Sequence, residues 1–212
     1  MDSADKKMSF LGNSAEMYFD IEIAYTDPKY VELLKLGRKV PDPNPTNSKI
    51  ITVQYQLLRE DGTPKGSLQI FREWESSEEQ IVRKIATMIN PSRKWEFIPV
   101  GHNIYFDLGM LRERASLYGI NYPVWFIYND LPAIDIKHIC VGMNAFRLKD
   151  SGLDKFSGKE SSGLNVPIWY HNKEYEKIEE YIRNEAREFI EFYKKLKETL
   201  PQFRKQYGFN KT

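Results

Sequence analysis

Cysteine is nearly missing from this chain. Among its 212 residues Cys140 is the single one, so no intrachain disulfide and no multi-cysteine zinc site can form. Histidine is scarce too, and His102 and His138 read as structural, with no zinc spacing among the three histidines. An excess of one charge is also absent. The formal net charge is +1, so no strong global field draws polyanions, and any nucleic acid would be held by local patches or by metal ions. No stretch approaches roughly 18 consecutive apolar residues, so no membrane span is expected. The opening "MDSADKKMSFLGNSAE" has no long apolar segment and does not read as a secretory signal. A cytoplasmic or otherwise intracellular location is the expectation.

What is present fits a globular chain, with 41% apolar and 14% aromatic residues. The length suits one domain with a full core. There is no internal repeat. The expected organisation is a loose lead-in at 1–14, a single domain at 15–200, and a basic tail at 201–212.

Periodicity predicts the elements. Residues 16–25 read as a strand and "PKYVELLKL" as a short helix. "GRKVPDPNPTNS" is proline- and asparagine-rich and reads as loop. "KIITVQYQLL" and "SLQIFREW" flank an Asp-Gly turn signal and predict a hairpin over 49–74. "SSEEQIVRKIATMIN" predicts a serine-capped helix ending before Pro91. A short strand over 95–103 precedes a helix over 106–118. Residues 121–132 read as an aromatic loop, 131–139 as a strand running into a helix at 137–147, and 150–167 as loop. A last helix is expected from about Lys173 to Leu200, ending at Pro201. Antiparallel strands followed by β-α alternation predict an α/β fold, a mixed sheet flanked by helices.

Three acidic pieces carry the chemistry. In "YFDIEIAYTDP" a strand places Asp20 and Glu22 on one face, with Phe19, Ile21 and Ile23 on the other. Neighbouring carboxylates raise each other's cost of ionising, and a divalent cation removes that conflict. Oxygen-only ligands favour magnesium or manganese. A solvated strand face is the plain alternative. In "VGHNIYFDLGML" Asn103 and Asp107 stand at a strand-to-helix junction, where α/β sheets hold ligands. Asn103 as N-cap and Asp107 as a helix-start acid is the plain alternative there. On the last helix Tyr181 and Glu185 lie one turn apart on one face, while Glu179, Glu180, Glu188 and Glu191 read as a solvated face, which is also the plain alternative for Glu185.

In order, D-x-E, N-x3-D and Y-x3-E resemble the DEDD superfamily of 3′–5′ exonucleases, which share the ribonuclease-H-like fold. The tyrosine branch (DEDDy), which includes polymerase proofreading domains, is the nearer likeness. "YFDIEIA", "GHNIYFDLGML" and "YIRNEAREFIEFYKKL" carry it, across residues 16–200. The resemblance implies a ribonuclease-H-like sheet, antiparallel in its first three strands and then parallel. It implies a metal-dependent 3′–5′ exonuclease that hydrolyses phosphodiester bonds and releases nucleoside 5′-monophosphates. Two divalent cations, Mg2+ or Mn2+, would serve it. Asp20 would bridge them, Glu22 and Glu185 would hold the ion that activates water, and Asp107 would help hold the second. Tyr181 would orient the water. Ile23, Ala24, Tyr25, Asn103 and Phe106 would meet the substrate, although core packing is the plainer role for Phe106. The partner would be a DNA or RNA 3′ end, with room for a protein partner such as a polymerase or a repair complex.

Two departures stand out. Glu185 occupies a position where the family has aspartate, so its extra methylene must be accommodated. Ile23 stands where relatives often have threonine. A histidine-branch alternative would use His171 and Glu176. A non-catalytic binding module and a structure-specific endonuclease are the competing functions. Lys149, Lys155, Lys159, Lys194, Lys195, Lys197, Arg204, Lys205 and Lys211 are weak phosphate candidates.

Overall fold

The computed structural model describes residues 15–152 and 163–206. The lead-in at 1–14 and residues 207–212 lie outside the described residues. Five strands form one mixed sheet: β1 (Glu16–Tyr25), β2 (Ser48–Leu57), β3 (Gln69–Arg72), β4 (Ile98–Gly101) and β5 (Ile134–Asp135). Their order is β3-β2-β1-β4-β5. β1 pairs antiparallel with β2, and β2 with β3, while β4 runs parallel to β1 and to β5. That is the expected mixture.

Among the described residues six helices accompany the sheet: α1 (Pro28–Lys35), α2 (Glu78–Met88), α3 (Ile104–Ser116), α4 (Ile136–Met143), α5 (Val166–His171) and α6 (Tyr175–Gln206). Both faces of β1 are covered. Phe19 and Ile21 join Ile81, Val82 and Ile85 of α2 and Ile104, Leu108 and Leu111 of α3 in one core. On the other face Tyr18 packs with Ala186, Phe189 and Ile190 of α6, and Ala24 with Ile178 and Ile182. The apolar stripe read on the last helix therefore holds α6 against the sheet. Each isoleucine or phenylalanine of that stripe contributes about 1.5–3 kcal/mol by leaving water. Phe189→Ala would cost about 3–5 kcal/mol. No helix among the described residues is long and apolar enough to cross a membrane.

Several boundaries differ from the sequence reading. The return strand is only Gln69–Arg72, because a 3-10 turn follows at Glu73–Glu75. Trp74 leaves the sheet to stack on Tyr175, ring centroids 4.5 Å apart. The strand expected over 131–139 is two residues long, since the Asp135 side chain accepts the Lys137 N–H and starts α4 at once. The aromatic loop contains a π-helical turn, Phe126–Asp130, that buries Phe126 and Ile127. Within the loop expected over 150–167, residues 153–162 lie outside the described residues, while Gly163–Asn165 form a 3-10 turn followed by α5, with Pro167 in its first turn, where a missing N–H costs nothing. α6 does not end at Pro201 but runs to Gln206. A proline removes one backbone rung and need not stop a helix near its end.

Candidate active site

The face of β1 that carries Asp20 and Glu22 is not a solvated surface. It lies under α6, and one carboxylate oxygen each from Asp20, Glu22 and Glu185 lie within 4.8 Å of one another. The extra methylene of Glu185 does not keep it out of the cluster. The pairing of β1 with β2 shifts between Glu22 and Ile23, skipping Ile51. Such irregularities re-aim side chains beside functional sites.

Asp107 sits in the first turn of α3 and is 5% exposed. Burial above all pushes its carboxyl well above the usual carboxylate range, and the negative charges of Asp20, Glu185 and Asp135 add to this. Tyr181 is buried. Desolvation first, then the charges of Glu22 and Glu185 and a hydrogen bond to Glu185, hold its hydroxyl far above the ordinary tyrosine range. It stays protonated and donates to Glu185. Gly163 packs against this hydroxyl so closely that an added Cβ would meet it at 3.1 Å.

A cleft of about 680 Å³ opens over the cluster. Its floor is β1 from Asp20 to Tyr25, apart from Ala24. One wall is α1 and its following loop, from Leu34 through Arg38 and Lys39 to Pro43. Another is formed by His102, Asn103, Phe106, Asp107 and Lys137, and a third by Gly163, Leu164, Pro167, Tyr181 and Glu185. The Tyr25 hydroxyl donates to the Pro41 carbonyl at 2.8 Å and pins the first wall to the floor.

No family model and no curated protein matches this chain. Solved structures match by shape. E. coli exonuclease I in complex with a dT13 oligonucleotide aligns with a TM-score of 0.57 over 91% of this chain and 43% of that one, at 12% identity. The fold is ribonuclease-H-like. A zinc-bound E. coli exonuclease I–single-stranded DNA complex and another exonuclease I structure give TM-scores of 0.43 and 0.47. Their identities are 13% and 11%, over 65% and 69% of this chain and 31% and 35% of theirs. This chain thus spans less than half the length of these exonuclease I chains.

On this ribonuclease-H-like sheet the expected residues separate into groups. Asp20, Glu22 and Glu185 form the cluster, and Asp107 and Tyr181 both feel its negative charge. Ile23, Tyr25, Asn103 and Phe106 line the cleft. Ala24 is fully buried in core instead. Phe106, read as core, is 37% exposed toward the cleft. Asn103 occupies the N-cap position, but its side chain caps nothing, and its φ of 65° is left-handed. His171 bonds the Tyr25 carbonyl at 3.0 Å and Glu176 is exposed, so that pair does not join the cluster. Glu179, expected on a solvated face, pairs with Arg72 at 2.7 Å, and Glu188 is half-buried. Lys197 is tied to Glu16 at 2.8 Å. Lys155, Lys159, Lys211 and the side chains of Arg204 and Lys205 lie outside the described residues.

Sequence reasoning missed two groups. Gln54, directly opposite Asp20 in the β1–β2 pairing, donates to Asp20 Oδ2 at 2.6 Å and accepts from Thr52 Oγ1 at 3.0 Å. Both β2 residues are fully buried. The signal was the alternation of Thr52, Gln54 and Gln56 within an apolar strand. The second group is the cleft's cations: Arg38, Lys39 and Lys137. Lys137 follows the C-terminal end of a strand, which is where such sheets hold ligands.

Proposed function

We propose that this chain is a metal-dependent 3′–5′ exonuclease of the tyrosine branch of the DEDD superfamily, releasing nucleoside 5′-monophosphates from DNA or RNA. The observation that carries the reading is the convergence of Asp20, Glu22 and Glu185 within 4.8 Å, beside Asp107 and a Tyr181 that donates to Glu185. The dT13 oligonucleotide in the E. coli exonuclease I structure supports a strand substrate.

Asp20, Glu22, Asp107 and Glu185 would hold two divalent cations, Mg2+ or Mn2+. Their oxygen-only donors fit a hard cation. The like charges crowded around buried Asp107 fit a site completed by positive charge. When bound, such ions stabilise the entering and leaving oxygens of an in-line displacement. The chain's own side chains do the rest. Gln54 fixes the direction of the Asp20 carboxylate. Tyr181 keeps its proton, directs it at Glu185, and offers its lone pairs to orient the attacking water. Phe106 presents a ring face on which a base can stack.

Digestion of 3′- and 5′-labelled single strands, with manganese, magnesium or chelator, tests this. Metal-dependent shortening from the 3′ end is expected. Internal cuts would replace the reading with an endonuclease. Folded protein that binds but never cuts would replace it with a binding module.

A further inference from the structure

Arg38 and Lys39 are exposed, but Lys137 is half-buried and held in a built position. One oxygen, Asp135 Oδ1, accepts the backbone N–H of Asn103 at 2.8 Å and of Lys137 at 2.9 Å. It therefore ties together the ends of β4 and β5. Lys137 Nζ then donates to Asn103 Oδ1 at 2.8 Å. Asn103 accepts this lysine from a left-handed backbone, φ 65°, which asparagine adopts more readily than most residues.

Two features of this arrangement work against local stability. A lysine in the first turn of a helix opposes the helix dipole. It also lines the same cleft as Asp20, Glu22, Asp107 and Glu185, yet among the described residues it forms no ion pair and bonds a neutral amide. An ammonium on a flexible four-carbon stem would otherwise turn to a carboxylate. Asn103 holds it aside. The Lys137 ammonium on α4 is thus kept apart from the carboxylates on β1, α3 and α6 that line the same cleft.

We infer that Lys137 is a phosphate-positioning residue, its ammonium taking a non-bridging oxygen of a phosphodiester strand bound in the cleft, with Asn103 keeping it poised. This rests on the nuclease reading above and adds to it a named anchor for the strand.

The test is anisotropy of a labelled single-stranded oligonucleotide on the full chain, across a salt series, in an Asp20→Asn background that stops cleavage. Lys137→Met is expected to weaken binding about tenfold, the size of a lost charged hydrogen bond. It should also reduce the slope of log affinity against log salt by about 0.7, one phosphate contact on a single strand. Lys137→Arg should retain the slope. Asn103→Asp should lower it as Lys137→Met does, because the lysine survives but is paired. In the cleaving protein Lys137→Met should raise KM far more than it lowers kcat. Melting curves report folding, and if Lys137→Met does not fold, the contrast between Lys137→Arg and Asn103→Asp carries the test. An unchanged slope and affinity in Lys137→Met, with a parent that binds, overturns this inference alone. If the wild-type chain neither binds nor cuts DNA or RNA, the nuclease reading falls and takes the inference with it.

Discussion

Two buried acids lie near the two ends of α3, and they live in opposite surroundings. Asp107 is in its first turn, and Glu78, from α2, meets its last turn. Both are 5% exposed. Glu78 accepts from Arg114 Nε at 2.7 Å, from the Tyr118 hydroxyl at 2.8 Å and from the Ile50 N–H at 2.8 Å. Asp107 makes no ion pair among the described residues and faces the charges of Asp20, Glu185 and Asp135 instead. A buried charge is tolerated when it is paired and hydrogen-bonded. Glu78 meets that rule as part of the scaffold. Asp107 does not meet it, and a carboxyl that resists ionisation in the bare protein stands where a cation or a reacting group belongs.

The contrast can be broken from the cluster side first. Asp20→Asn should leave the fold intact and lower nuclease activity by ~10³-fold or more, since it removes a carboxylate that would hold the cations stabilising the reacting phosphate. Gel analysis of strand digestion, with circular dichroism for folding, checks this. Activity equal to the parent would sink the site assignment. Glu78→Ala should do the reverse. It strands Arg114 and should cost about 3–5 kcal/mol in urea unfolding, with residual activity tracking the folded fraction. Saturating Mn2+ should stabilise the wild type by ~2.7 kcal/mol at a hundredfold excess over Kd, seen as a rise in Tm of about 5–10 °C. Chelator should reverse the rise, and Asp20→Asn should abolish it.

The smallest effect is in pH. The folded state raises the Asp107 pKa, so between the ordinary carboxylate value of about 3.9 and the raised one it binds more protons than the unfolded chain. Stability then falls as pH rises through that window. The metal-free wild type should lose stability there relative to Asp107→Asn, a gap read from paired urea titrations. A gap of zero would mean that Asp107 is better solvated or better paired than its surroundings indicate.

Much of this was legible in sequence because it is local. Period-two alternation gave β1 and its two faces, and the α6 stripe gave the helix that covers one of them. D-x-E and Y-x3-E put each pair of side chains on a common face. What stayed hidden depends on pairing across the chain. Gln54 matters only because β2 lies antiparallel to β1 in one register, and Lys137 only because β5 ends beside β4. Phe106 looked like core because aromatics on amphipathic helices usually are, yet it falls on the cleft side of α3. The "NVP" that opens α5 looked like loop, because proline marks helix starts and turns alike.

The Tyr25–Pro41 bond gives β1 a second duty, that of a ruler. Carboxylates and the wall that bears Arg38 and Lys39 are both referenced to one strand. From Glu22 to the Tyr25 anchor is three residues of extended chain, about 10 Å at the usual rise. That spacing is set by backbone geometry, which side-chain substitutions barely alter. On the proposed function, a strand lying along the floor would meet its negative and positive contacts at an interval measured out by the protein's own backbone.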